Sequence, residues 1–183
     1  MKIILASKSP RRKEILENLG YNFTIVTADV NENCDNSNPA EFVKELAFKK
    51  AEAVAKTVDK NSIVIGFDTV VAIDNKILGK PINKQDAENM LKMLSDNKHS
   101  VFSGLCVIKG EKVLIDYCKT DVYFDTLSQK DIDDYLADDE YKDKAGSYAI
   151  QGKAGVFVKR IDGEYFNVVG LPINLLHKML KEI

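Results

Sequence analysis

The chain is 183 residues long, 45% apolar and 30% charged, with no tryptophan and a formal net charge of -2 at pH 7. That balance suits a core-forming fold and supplies no global field toward nucleic acid or anionic lipid, so any anion site must be local. Cys34, Cys106 and Cys118 form no C-x-x-C pair, which argues against a disulfide framework or a zinc site and for a reducing, cytoplasmic setting. The opening apolar run is too short for a signal peptide or a membrane span, and no linker or repeat divides the chain, so 1–183 reads as one domain with no membrane partner.

The opening residues read as a strand running into Ser7-Lys8-Ser9-Pro10-Arg11-Arg12. Ser9 is placed as a helix N-cap, Pro10 at the first helical position, where a missing N–H costs nothing, and Gly20 as the stop. Ile15, Leu16 and Leu19 give that helix its buried face. Arginines in a first turn oppose the helix dipole by about 0.3–1 kcal/mol each. Backbone N–H groups, hydroxyls and guanidinium forks converging there suit a phosphate; an exposed basic turn is the alternative.

Residues 22–27 predict a short strand and 28–37 a polar loop containing Glu32, after which Asn38-Pro39-Ala40-Glu41 opens a helix with a capping box. Val43, Ala47, Lys50 and Val54 share one face of that helix, which turns a lysine inward, either snorkelling or binding a ligand. Residues 62–68 read as a buried strand with Asp68 at its carboxyl end, where open α/β sheets place ligands, and 69–73 as further extended chain. Asp74-Asn75-Lys76 predicts a turn, with Gly79-Lys80-Pro81 on the same rim. A helix is expected over 83–94, then long strands over 99–108 and 112–124 about Gly110. Ser128 and Asp131 open another helix, whose acidic cluster lacks EF-hand spacing and is assigned no chemistry. Residues 156–161 and 165–169 are expected to pair as a hairpin before a closing helix over 172–180. The alternation of strands and helices predicts an α/β fold with a mixed sheet.

Four cations, Arg11, Arg12, Lys50 and Lys80, stand out together with the carboxylates of Glu32 and Asp68. A nucleoside triphosphate and its metal need cations for the outer phosphates, oxygen ligands for the ion and a base for water, and this mixture supplies all three. Asp68 beside cations stays ionised and can accept a proton from attacking water. P-loop, kinase and dinucleotide signatures are absent from the sequence, and His99 and His177 are isolated.

Several stretches, in order, carry a family resemblance: the Ser7–Arg12 motif; Glu32; Leu46-Ala47-Phe48-Lys49-Lys50-Ala51; Asp68-Thr69-Val70-Val71; Gly79-Lys80-Pro81; Asp143-Lys144-Ala145-Gly146-Ser147-Tyr148-Ala149-Ile150-Gln151-Gly152; and Asn167-Val168-Val169-Gly170-Leu171-Pro172. Over essentially its full length the chain resembles the Maf family of nucleoside triphosphate pyrophosphatases. The resemblance implies a two-lobed α/β body with a mixed sheet flanked by helices, ITPase-like (Maf/Ham1-like), with a substrate cleft between the lobes. It implies a divalent metal, Mg or Mn, held by Glu32 and Asp68, with Asp68 as proton acceptor. Ser7, Arg11, Arg12, Lys50 and Lys80 are implied to hold phosphates. Arg12, Thr69 and Gln151 mark the branch similar to dTTP and UTP hydrolases rather than the 7-methyl-GTP branch, and the Gln151 amide, donor and acceptor at once, suits the edge of thymine or uracil.

Such an enzyme releases the monophosphate and pyrophosphate and clears excess or non-standard nucleotides; a homodimer is a family expectation. A nucleotide-responsive regulator of septum formation is the second reading the resemblance raises. A nucleic-acid module is disfavoured by the near-neutral charge and the lack of a basic aromatic stripe. Glu140-Tyr141 replaces the family's usual Glu-Pro, and Ser103-Gly104 its Thr-Gly.

Overall fold

Apolar, β-branched runs form the parallel start of the sheet, where strands are covered on both faces. In this computed structural model, which describes residues 2–74 and 76–183, β1 (Ile3–Ala6) lies between β2 (Phe23–Ile25) and β3 (Ile63–Ile73). Both pairings are parallel, with Ile3 opposite Phe23 on one side and Ile3 to Ala6 opposite Ile63 to Gly66 on the other. Helices α1 (Pro10–Asn18) and α2 (Pro39–Ala55) supply the crossovers that parallel neighbours require. β4 (Lys76–Leu78) then returns antiparallel along β3, Val71 opposite Leu78. β5 (Lys98–Lys109), β6 (Lys112–Phe124) and β7 (Val158–Asp162) complete a mixed, open sheet of order β2-β1-β3-β5-β6-β7 with β4 on β3. The expected turn at 74–76 includes Asn75, which lies outside the described residues; Asp74 has φ 48°.

The chain divides into two units, each with its own core. The first comprises Met1–Thr69, Ser103–Cys118 and Gly170–Ile183. Its interior includes Ile4, Ala6, Ala47, Ala51, Val54, Val64 and Cys106. Two glycines let α2 approach its strands closely: a Cβ on Gly66 would stand 2.4 Å from the Ala47 carbonyl oxygen, and one on Gly104 2.1 Å from that of Val43. The helix thus docks backbone to backbone, which fixes the height of its inward face.

The second unit comprises Val70–Phe102 and Lys119–Val169. Helices α3 (Lys84–Leu94) and α4 (Gln129–Leu136) pack Leu91, Leu94, Ile132 and Tyr135 into a core with Phe124, Tyr148 and Phe157. His99, 1% exposed, sits in this core with its ring edge-on to Phe124 and Tyr148 at 4.9 and 5.4 Å, and its Nε2 is 2.8 Å from the Tyr148 hydroxyl. Nδ1 has no hydrogen-bond partner among the described residues. Burial lowers the His99 pKa from 6.5 to about 4, against a smaller upward pull from Asp121.

Four expectations are corrected. Ser9 occupies the N-cap position with extended backbone, but its side chain makes no capping bond; Ser7 Oγ instead accepts the Ser9 N–H at 3.2 Å. Asn38 caps α2 by accepting from Ala40 and Glu41, yet the box stays open, because Asn36 Oδ1 takes the Asn38 N–H and Glu41 pairs with Lys44. Asp68 lies inside an uninterrupted β3, although β1 pairing stops two residues before it at Gly66. Finally, Tyr165–Val169 is a helix, α5, and β7 pairs with β6 instead, Asp121 opposite Asp162. Gly163, at φ 131°, turns the chain, and the fully buried Asn167 donates to the Val101 carbonyl and the Thr120 hydroxyl, so tertiary bonds override local β propensity. α6 (Ile173–Glu182) closes the chain, and among the described residues no helix is long and apolar enough to cross a membrane.

Gly104→Ala is expected to lower stability by about 1–3 kcal/mol through forced backbone displacement, read from urea unfolding. For His99, folded and unfolded chains are both neutral above pH 6.5, so its contribution is complete there. As pH falls toward 4 the unfolded chain gains a proton that the buried ring refuses, and wild type should lose up to about 3 kcal/mol relative to its His99→Gln variant over that window.

Candidate active site

The site residues on the first unit form two linked sets, one built on a guanidinium and one on an ammonium. Arg12, in the first turn of α1, aims its fork back at the end of β1. Nη1 donates to Ser7 Oγ at 3.1 Å, Nη2 to Thr69 Oγ1 at 2.9 Å and Nε to the Gly170 carbonyl at 2.8 Å. The guanidinium carbon also stands 5.3 Å from the centroid of the Phe67 ring. Desolvation lowers the Arg12 pKa to about 10, opposed by Asp68, so the group remains a cation at neutral pH. Thr69 Oγ1 in turn lies 2.9 Å from the buried hydroxyl of Ser103. Each nitrogen of Arg12 thus makes one bond within the chain, with one further N–H on each terminal nitrogen, and the group braces β1, β3 and the segment before α6.

Lys50 belongs to the inward face of α2, between Ala47 at 0% and Val54 at 1% exposure, as its spacing predicts. Its Nζ lies 2.6 Å from Asp68 Oδ1 and 2.9 Å from Glu32 Oε1, so the lysine is a ligand of carboxylates rather than a snorkelling chain. Asp68 is 9% exposed. Burial raises its pKa, opposed first by the charge and hydrogen bond of Lys50 and then by Arg12. An aspartate held this way is more basic than one in water, yet still has cations to keep it ionised.

A divalent ion suits this pair. Glu32 and Asp68 both direct an oxygen at one cation, here the Lys50 ammonium, which stands where positive charge is already favoured. Two carboxylates, with the remaining positions left to phosphates and water, is the donor set typical of magnesium rather than of a closed protein cage. Among the described residues no cluster of three or more His, Cys, Asp or Glu side chains is arranged to hold a metal.

Arg11 sits beside Arg12 in the first turn of α1, which contains no acidic residue. Lys80 and Gln151 belong to the second unit and are both exposed; Lys80 Nζ is 3.7 Å from Asp143 Oδ1. Their segments meet in that unit, where the Gly146 N–H donates to the Gly79 carbonyl at 3.0 Å. Ser103 and the Gly170 carbonyl are site members that sequence reasoning missed. Gly170 lies in a stretch that carries the family resemblance and Ser103 at a departure from it, but a hydroxyl and a carbonyl carry no charge signal.

A model of the family described as Maf-like protein matches residues 2–183. The chain belongs to the Maf family. This Maf chain is 47% identical over 183 residues to a protein of Caldanaerobacter subterraneus subsp. tengcongensis named dTTP/UTP pyrophosphatase, covering 99% of this chain and 88% of that one. It is also 47% identical over 182 residues to a Bacillus anthracis protein of the same name, covering 99% and 95%. In fold it is similar to the Ham1 protein of Staphylococcus aureus, with a TM-score of 0.59 at 13% identity over 100% of this chain and 99% of that one. The HAM1 protein of Coxiella burnetii gives a TM-score of 0.57 at 17% identity over the full length of both. Those two likenesses concern architecture, and the ITPase-like mixed sheet expected from sequence is the one observed.

Arg12→Lys keeps the charge but cannot reproduce a three-nitrogen fork, so it is expected to destabilise by about 2–3 kcal/mol in chemical denaturation, with Ser7, Thr69 and Gly170 left short of a donor.

Proposed function

We propose that this Maf chain is a nucleoside triphosphate pyrophosphatase acting on dTTP and UTP, with Asp68 as the group that takes a proton from the attacking water. The observation that carries the reading is a buried carboxylate with raised basicity, held at 2.6 Å by a lysine in the same unit as the cationic first turn of α1. The names of relatives at 47% identity support the same activity.

Oδ1 of Asp68 is the oxygen that faces the cation position now held by Lys50, so Oδ2 is the one that receives the proton as water adds to the α-phosphorus. The new P–O bond forms there, the bond from the α-phosphorus to the oxygen that bridges it to the β-phosphorus breaks, and pyrophosphate leaves carrying that oxygen, with the monophosphate as the other product. Ser7 Oγ already accepts from Ser9 N–H and Arg12 Nη1, so its own proton remains to be donated to a phosphate oxygen. Arg11 adds a cation at a helix N-terminus, where N–H groups also favour an anion. A divalent ion at Glu32 and Asp68 supplies charge neutralisation on the phosphate oxygens. Arg12 acts by fixing Ser7 and Thr69, and the proposal extends to Lys80 as a phosphate ligand and Gln151 as the residue that reads the base.

Purified protein with magnesium or manganese is expected to convert dTTP and UTP to monophosphate and pyrophosphate faster than purine triphosphates, as read by chromatography of the products. Asp68→Asn should lower kcat by about 10²–10⁴. Release of inorganic phosphate instead of pyrophosphate would overturn the reaction, undiminished turnover by the variant would overturn the role of Asp68, and tight nucleotide binding without turnover would favour a regulator.

A further inference from the structure

We propose that Lys50 is a built-in substitute for the metal, and that its ammonium must move to the nucleotide's phosphates before the ion can seat between Glu32 and Asp68. This rests on the reading of those two carboxylates as the metal ligands. Its basis is that one atom, Nζ of Lys50, contacts an oxygen of each, at 2.9 and 2.6 Å. A divalent ion bound to the same two oxygens and the ammonium exclude one another, by volume and by charge.

Charge balance gives the order of events. Two carboxylates carry two negative charges, and the Lys50 ammonium with the nearby Arg12 guanidinium already offsets them. Adding a divalent ion while Lys50 stays would place four positive charges against two negative ones in a partly desolvated setting, where such repulsion is poorly screened. A triphosphate removes the conflict, because its oxygens give Lys50 new partners and add negative charge beside the ion. Metal and nucleotide therefore raise each other's affinity, and the coupling is reciprocal. The side chain has the means to move: four methylenes separate Nζ from a backbone that the close contacts of Gly66 and Gly104 hold in place. Lys49, the preceding residue, pairs instead with Glu45 at 2.7 Å and provides a control of the same charge.

The test is a manganese titration without nucleotide, following the free-ion signal by electron paramagnetic resonance. Lys50→Gln is expected to bind Mn²⁺ at least tenfold more tightly than wild type. Lys50→Arg and Lys49→Gln should stay within about threefold of wild type, and the double variant Lys50→Gln/Asp68→Asn should lose the gain. A Lys50→Gln affinity equal to or weaker than wild type overturns the proposal, as does an equal gain in Lys49→Gln, which would reduce the effect to net charge. Should Lys50→Gln not fold, the same question falls to wild type. There a non-hydrolysable α,β-imido analogue of dUTP must tighten Mn²⁺ binding at least tenfold after correction for ion held by free analogue, and no tightening overturns the proposal. Turnover of dTTP by the same wild-type sample separates the two readings: active protein without the affinity change refutes only the substitution by Lys50, whereas inactive protein refutes the pyrophosphatase reading and leaves the manganese result to stand alone.

Discussion

The site on the first unit depends on how closely α2 lies against the sheet. Gly66 and Gly104 present bare backbone to the carbonyls of Ala47 and Val43, and any side chain at either position would lift the helix. At that separation the ammonium of Lys50 reaches Asp68 at 2.6 Å. The inward stripe of α2 thus anchors a helix and delivers a cation to a buried carboxylate. Asp68 in turn is carried by β3 just beyond the last β1 pair at Gly66, where the strand is freed from one neighbour and its side chain meets charges instead of a sheet partner.

Arg12 gives the same region its second constraint. A guanidinium bonded to Ser7, Thr69 and Gly170 ties together residues far apart in sequence. Desolvation would be costly for an unpaired cation, but three acceptors and the nearby Asp68 offset it. This division between the two arginines could not be read from their adjacency. Arg12 donates one internal bond from each nitrogen, and Arg11 stands beside it in a first turn that contains no acidic residue.

Much of the architecture was legible because it rests on periodicity. The stripe Val43, Ala47, Lys50, Val54 specified both a helix and an inward lysine, and Ser128 and Asp131 open the helix expected there. What escaped were choices made by partners distant in sequence. Tyr165–Val169 has strand-forming residues, yet Asn167 finds its acceptors on Val101 and Thr120 only if the segment coils. Ser9 has the right side chain for a cap, but it makes no capping bond, and the hydroxyl that is engaged is that of Ser7, which accepts from the Ser9 N–H and Arg12. The charged members of the site were readable as charge; Ser103 and the Gly170 carbonyl, which orient them, were not, since neutral groups reveal their role only through distance.

The three charges gathered at Lys50 differ in their mechanical freedom. Asp68 rides on an uninterrupted strand and Lys50 on a helix with no room to slide, while Glu32 comes from the long loop between β2 and α2. Any change in the spacing of the two carboxylates must therefore be made by Glu32. On the proposed function, the strand would hold the base in place and the loop would carry the second metal ligand, so substitutions in the loop reach that ligand without disturbing the base.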